Sequence, residues 1–335
     1  MTVLIMSHSE DNDSVDAICR KVEERGHPVL RIDTDRFPTE VPLATRFGAD
    51  GESHSLAGVP LADVTAVWNR RYFTGRDIPK DLDQQLRQPS VEESRRSVFG
   101  LIACLDVFQL DPLRYSHFAR HKPLQLQIAQ DLGLAVPETV ITNDPEEVRA
   151  LAARCPDGIV TKMMSSFAVY DDEGREQVVF TNRLSDEDLE DLNGLELAPM
   201  TFQESVAKEV ELRITVVGNQ VFTAAIDPGK SQRATNDWRR DGIGLLEHWA
   251  EHPLPDEVAD QLLRLCDRLG LNYGAIDVII TPDGRHVFLE INPVGEFFWL
   301  EKTPGFPITD AITDLLVDPS SRRLDLRNPT SRPGS

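Results

Sequence analysis

The chain has 335 residues, 40% of them hydrophobic and 27% charged, with a formal net charge of −21. That length predicts two or three domains. So large an excess of acid argues against a nucleic-acid backbone or an anionic membrane as a partner. No apolar run approaches the roughly 20 residues of a membrane span, and no signal-peptide pattern opens the chain. Cys19, Cys104, Cys155 and Cys266 are widely spaced, with no C-x-x-C pair. They read as free, packed thiols of a cytoplasmic protein in a reducing compartment.

Thr2 to Met6 reads as a buried strand, followed by a polar loop from Ser7 to Asp13. Asp13 or Ser14 can cap a helix from Val15 to Glu24, which Gly26 ends, and Val29 to Ile32 is a second strand. This order predicts an α/β domain with parallel pairing and a right-handed crossover. The loop has no glycine fingerprint and is not read as a nucleotide site. Ala66 to Trp68 ends a further strand and runs into Asn69-Arg70-Arg71-Tyr72. Those arginines are either solvated or meet an anionic ligand where domains join. A long helix is expected from Ser90 to Phe108, and Asp111-Pro112 breaks the chain.

Lys122 to Asp131 reads as a helix stopped by Gly133, and Thr139 to Ile141 as a strand. Pro145 suits the first position of the next helix. Ile159 to Lys162 is a strand, followed by a polar loop with Ser165 and Ser166, a hairpin from Phe167 to Phe180, and a short acidic helix within Asn182 to Gly194. Thr201 to Val206 reads as a hinge strand. Val210 to Val217 and Gln220 to Ile226 form a hairpin through Gly218-Asn219. The polar stretch Asp227 to Gly244 exceeds the roughly 12–15 residues beyond which an unstructured connection is usually functional or disordered. It carries Lys230, Arg233, Trp238, Arg239 and Arg240. An amphipathic helix spans Pro255 to Leu269, a last helix spans Thr303 to Leu316, and Asp318 to Ser335 is expected to fray.

The most informative stretch is Asn272 to Trp299. Ala275 to Ile280 and His286 to Ile291 are apolar runs joined by the turn Thr281-Pro282-Asp283-Gly284, a hairpin pattern. Asp277 lies in the first run and Glu290 in the second, with Asn292 two residues on. Residues i and i+2 of a strand share a face, so Glu290 and Asn292 project together and the hairpin brings Asp277 beside them. The plain alternative is two solvated acids on an amphipathic hairpin. Their apolar flanks favour a hard-oxygen site for Mg2+, because a buried charge without a partner is costly.

The spacing D-(x)12-E-x-N, ending in Phe288-Leu289-Glu290-Ile291-Asn292-Pro293, resembles the metal motif of ATP-grasp ligases. The continuation Gly295-Glu296-Phe297-Phe298-Trp299-Leu300-Glu301 is similar to the ATP-grasp maturases of ribosomal peptides, the microviridin-type graspetide synthetases. Asp33-Thr34-Asp35-Arg36-Phe37-Pro38 and Asn69 to Tyr72 resemble segments of the same family.

The resemblance implies an ATP-grasp fold behind an N-terminal parallel-sheet pre-ATP-grasp domain. The expected segments are 1–114 for that domain, 115–198 for the small ATP-grasp lobe, 199–318 for the C-terminal lobe with the metal site, and 319–335 for a flexible tail. It implies ATP contacts from Lys122, Lys162, Ser165, Ser166, Gln203, Glu204, the backbone of Val206, Glu211 and Arg213. It implies Mg2+ at Asp277, Glu290 and Asn292, and catalytic roles for Arg213 and, at an acyl phosphate, Arg239.

The implied activity is macrocyclisation of a ribosomal precursor peptide, joining Asp or Glu side chains to Thr or Ser hydroxyls or to Lys amines. The implied partners are the leader and core of that peptide, the leader near Val178 to Leu192, and a second copy in a homodimer. Two other readings share parts of the pattern. One is a glutathione-synthetase or glutamate-ligase type of ATP-grasp enzyme. The other is a nucleotide- or peptide-binding module without turnover.

Overall fold

Residues 1–49, 51–162, 168–170, 176–178, 182–226 and 248–327 are described by the computed structural model of the chain. The N-terminal part begins with β1 (Thr2–Ser7), α1 (Ser14–Glu24) and β2 (Val29–Asp33). A small antiparallel sheet of β3 (Leu43–Gly48), β4 (Gly51–Leu56) and β5 (Val59–Pro60) follows, which the sequence pattern did not announce. Then come β6 (Val64–Asn69), α2 (Gln84–Cys104) and β7 (Phe108–Leu110). The main sheet is parallel, in the order β2-β1-β6-β7, as the strand-helix-strand order predicts. Val3 and Ile5 of β1 enter one core while Leu4 and Met6 enter another. A strand covered on both faces explains the unbroken apolar run.

Two expectations in this part are corrected. Asp13 stands at the N-cap of α1 but its side chain makes no capping hydrogen bond; the side chain of Asn12 accepts the Ser14 N–H at 3.0 Å instead. The long helix starts at Gln84, where Asp83 accepts the Gln85 N–H, and ends at Cys104. Phe108 is not helical, because β7 pairs with Ala66–Trp68 and completes the sheet edge.

The central part holds α3 (Leu113–Ala119), α4 (Lys122–Asp131), β8 (Thr139–Thr142), α5 (Pro145–Arg154), β9 (Ile159–Lys162), β10 (Ala168–Tyr170), β11 (Glu176–Val178), β12 (Asn182–Arg183), α6 (Asp186–Glu190) and β13 (Met200–Glu204). β10 and β11 pair antiparallel. The other strands form an antiparallel sheet in the order β12-β9-β13-β8, over a small core with Val148, Leu151, Ile159 and Phe202.

The C-terminal part holds β14 (Val210–Val217), β15 (Gln220–Ile226), β16 (Ala250–Glu251), α7 (Asp256–Leu269), β17 (Tyr273–Ile280), β18 (His286–Asn292), α8 (Phe298–Lys302) and α9 (Ile308–Val317). Its antiparallel sheet runs β16-β15-β14-β17-β18. Leu262, Leu265 and Leu269 of α7 pack on one face with Leu212, Ile276 and Phe288. The other face meets β1, β6 and β7 through Val217, Ala275, Phe297 and Trp68. The closing helix expected from Thr303 starts later, as α9, because Pro304-Gly305-Phe306-Pro307 precedes it, and the short α8 stands before that range. The tail expectation is corrected for residues 319–327. Arg322 lies over the Phe108 ring, Arg323 pairs with Asp267, and the Leu326 carbonyl accepts the Gln109 N–H. All four cysteines are free. Among the described residues no helix is long and apolar enough to cross a membrane.

Candidate active site

Strand register assembles the charged face. Asp277 pairs with Arg213 of β14 on one side and with Glu290 of β18 on the other, while Asn292 pairs with Ala275. Directly opposed residues of antiparallel strands share a face. Arg213, Asp277 and Glu290 therefore stand in one cross-strand row, with Asn292 and Glu211 two residues along their own strands. A β-bulge makes this possible. The register shifts between Asp277 and Val278, so that Val278 opposes Phe288 and Leu289 is the extra residue. A bulge reverses the alternation locally. Phe288 can thus enter the core while Glu290, two residues later, points to the other face.

Each acid in the row has a cation. Arg213 Nη1 donates to Asp277 Oδ1 at 2.8 Å, and Lys122 Nζ lies 2.5 Å from Glu290 Oε2. Burial pulls the Arg213 guanidinium down, but Asp277 outweighs it and the group ends above its ordinary range. Arg213 Nη2 also donates to the Glu296 carbonyl at 3.0 Å. Glu211 accepts from Lys208 Nζ at 2.7 Å.

Lys162 comes from the other sheet, at the end of β9. Burial lowers its pKa; Glu290, Asp277 and Glu211 oppose that shift and Lys122 adds to it. Both lysines and three carboxylates therefore share one electrostatic neighbourhood.

Lys122 is placed by Gln125, a contact the sequence did not reveal. The Gln125 amide donates to the Ile291 carbonyl at 2.9 Å and its oxygen accepts the Ile291 N–H at 3.1 Å. β18 is an edge strand, so α4 closes that edge and carries Lys122 to Glu290.

Gly295 keeps the other wall thin. A Cβ there would sit 2.4 Å from Ala275 Cβ and 3.0 Å from Arg213 Nη2.

Arg70 and Arg71 meet acids of this chain, Glu296 and Asp11. Arg70 Nη2 donates to Glu296 at 2.6 Å, and its Nη1 reaches the Val294 and Gly295 carbonyls. Burial pushes Arg70 below its usual range, with Asp11 opposing. Asp11 is pushed up by burial, yet stays below the usual carboxylate range because Ser7, Arg70, Arg71 and the Asn12 N–H stabilise its charge. The loop from Ser7 to Asp13 thus helps to anchor the turn after Asn292.

Residues 2–117 match the MvdD pre-ATP grasp domain family. Macrocyclase MdnC from Microcystis aeruginosa MRC, crystallised with precursor peptide MdnA, is 46% identical, with 95% of this chain and 100% of that one covered and a TM-score of 0.87. A RiPP-associated ATP-grasp ligase of Chryseobacterium gregarium, in complex with ADP and a leader and core peptide, is 37% identical, with 97% and 99% covered and a TM-score of 0.92.

The chain belongs to the ATP-grasp macrocyclases. As a graspetide synthetase of this family it is an ATP-dependent ligase with a mixed α/β fold. A more distant match is β-citrylglutamate synthase B of Danio rerio, 23% identical over 129 residues, which spans 38% of this chain and 31% of that protein.

Not every expected residue of this synthetase stands at the charged face. The Gln203 amide is buried and donates to Thr139 Oγ1 at 2.9 Å, within the central sheet. Glu204, at the end of β13, accepts the Glu138 N–H at 3.1 Å, and the Val206 N–H closes a turn onto the Glu204 carbonyl. Ser165, Ser166 and Arg239 lie outside the described residues.

Among the described residues no group of three or more His, Cys, Asp and Glu could hold a metal ion. The candidate set is instead two carboxylates and an amide. Those hard oxygen donors fit Mg2+, which commonly takes one or two carboxylates and completes its shell with water and substrate phosphates.

Proposed function

We propose that this synthetase activates Asp or Glu side chains of a ribosomal precursor peptide with ATP and closes rings onto Thr or Ser hydroxyls or Lys amines of the same peptide. The observation that carries the reading is the row Arg213, Asp277, Glu290 with Lys122 and Lys162 beside it. It joins hard oxygen donors to several cations, as a nucleotide triphosphate requires. The Chryseobacterium relative, solved in complex with ADP and a leader and core peptide, supports a nucleotide and a peptide as ligands here.

A carboxylate is a poor electrophile at neutral pH. In the first step a peptide carboxylate oxygen bonds to the γ-phosphorus of ATP and ADP leaves, giving an acyl phosphate. In the second, a hydroxyl or amine of the peptide attacks the acyl carbon, loses its proton, and phosphate departs. The peptide has then lost one water per ring. Lys122, Lys162 and Arg213 hold the phosphates and offset charge that builds on them. Asp277, Glu290 and Asn292 would hold Mg2+, which supplies charge neutralisation across the phosphates. Arg239 holds the acyl phosphate. Ser165 and Ser166 close over the phosphates. Glu204, the Val206 backbone and Gln203 line the base, and Glu211 meets the ribose. No protein nucleophile is needed, because positioning and electrostatics do the work.

In this reading residues 1–114 form the pre-ATP-grasp domain, and residues 115–198 and 199–318 form the two lobes around the nucleotide. The leader of the peptide docks on the central lobe near Val178 to Leu192, and the enzyme works as a homodimer in a reducing cytosol.

The test is the intact mass of a Thr- and Glu-rich precursor peptide, encoded beside this protein, after incubation with the enzyme and Mg-ATP. Loss of one water per ring, dependent on ATP, is expected. An unchanged peptide together with ADP release on free amino acids would overturn the reading in favour of a small-molecule ligase.

A further inference from the structure

A cavity of about 730 Å3 opens between the end of β6, the flanks of α2 and α3, and the Val294 turn. Its charged lining is one-sided, with Arg70, Arg71, Arg95, Arg96 and Arg120 against a single glutamate, Glu92. On a chain of net charge −21 this concentration is the reverse of the overall field.

The five arginines divide by their partners. Arg70 and Arg71 are held by Glu296 and Asp11. Arg95 and Arg96 share Glu92, at 2.8 and 3.1 Å. Arg120 makes no ion pair among the described residues. The outer three therefore carry more positive charge than the protein neutralises, and they are exposed. His117 records the same imbalance. Its imidazole is held below its ordinary pKa by burial and by the nearby Arg120 and Arg95. Tyr72, Phe73 and Phe99 add apolar wall. Val294, at the cavity's edge, is two residues from Asn292.

We propose that this cavity binds a carboxylate-rich segment of the peptide substrate, with Arg95, Arg96 and Arg120 as its contacts. The inference rests on the peptide-ligase reading and adds where and how acidity is recognised. An acidic peptide is repelled by most of this surface, and the arginine cavity offers a complementary field beside the hairpin that carries the charged row. Arginine suits the task because its planar fork pairs with carboxylates in two-point fashion.

The probe is a fluorescein-labelled dodecapeptide of alternating Glu and Thr, with the Gln and Thr counterpart as control, titrated against the full chain by anisotropy. The Glu peptide is expected to bind the wild type at least about tenfold tighter than the Gln peptide. The double variant Arg95→Glu, Arg120→Glu is expected to lose about that factor, and added salt to weaken the wild type alone. In histidine NMR, the His117 pKa should rise when the Glu peptide binds, because a nearby anion stabilises imidazolium. Equal binding of both peptides, no binding of either, or an unchanged double variant would overturn the proposal.

Mg-ADP binding, measured in parallel, separates the two readings. If it persists in the wild type while the peptide result fails, only the cavity assignment falls. If the wild type binds no Mg-ADP, the ligase reading itself fails.

Discussion

Arg213 and Lys162 are both cations of the candidate site, but they stand on different sheets. Arg213 sits mid-strand on the five-stranded sheet, buried, opposite Asp277 in the ladder and bonded to it. Lys162 ends the short strand β9 of the central sheet and feels Glu290, Asp277 and Glu211 from across the gap between the sheets. One charge is fixed by backbone register, and the other by how two sheets face each other. The first should therefore serve stability and chemistry together, the second chemistry alone.

That contrast is most strongly tested by two parallel variants. Arg213→Met and Lys162→Met should each lower turnover by about 10²–10³-fold, the usual effect of removing one preorganised donor. Only Arg213→Met should also unfold early, by about 3–5 kcal/mol in urea titration, because it strands Asp277. Lys162→Met should keep or raise the midpoint, since burial already disfavours its charge. Equal losses of stability would erase the distinction.

Gln125→Leu probes the link between α4 and β18. It leaves the buried Ile291 N–H and C=O without their side-chain partner. A loss of about 2–6 kcal/mol is expected, at about 1–3 per unpaired group. Lys122 should then hold Glu290 less firmly, which weaker ADP binding would report. Gly295→Ala is a smaller insult to the same row. Its Cβ must displace the Arg213 guanidinium or Ala275, and overpacking of this kind costs about 1–3 kcal/mol. Turnover should fall further than that stability loss explains.

A separate test concerns Asp111, which lies outside the row and accepts the backbone N–H groups of Asn272 and Tyr273. Burial pushes its carboxyl up to about 7, against the pull of those hydrogen bonds. In the unfolded chain it ionises near pH 4, about 3.9 in model peptides. Between those values the native state binds the extra proton, so stability falls as pH rises from about 4 to about 7 and then levels off. Asp111→Asn should remove this share of the slope; an unchanged slope would show that Asp111 titrates normally.

Much of this was legible in the sequence, for identifiable reasons. Two apolar runs and a Pro-Asp-Gly turn fix a hairpin, and the alternation rule then brings Asp277 towards Glu290 and Asn292. The bulge at Leu289 was not legible, because one extra apolar residue leaves an apolar run looking the same. The conflict between Phe288 and Glu290, two residues apart yet bound for opposite faces, was its only trace. Gln125 and Asp11 were missed because their roles depend on partners brought in by the fold, 166 residues away for Gln125 and Ile291 and 60 for Asp11 and Arg71. The bond from the Gln203 amide to Thr139 was not legible either, because it depends on which strands of the central sheet pair. Phe108 looked helical because an apolar residue at helical spacing does not reveal that a sheet edge needs a fourth strand.

The central claim is that Asp277 and Glu290 hold the metal that accompanies the nucleotide. Its most direct test is ADP binding by calorimetry, with and without Mg2+, for the wild type and for Asp277→Asn, Glu290→Gln. In the wild type Mg2+ should tighten ADP binding; in the double variant binding without metal should persist while the tightening disappears. A double variant that still gains affinity from Mg2+ would contradict the assignment and move the metal site elsewhere in the protein.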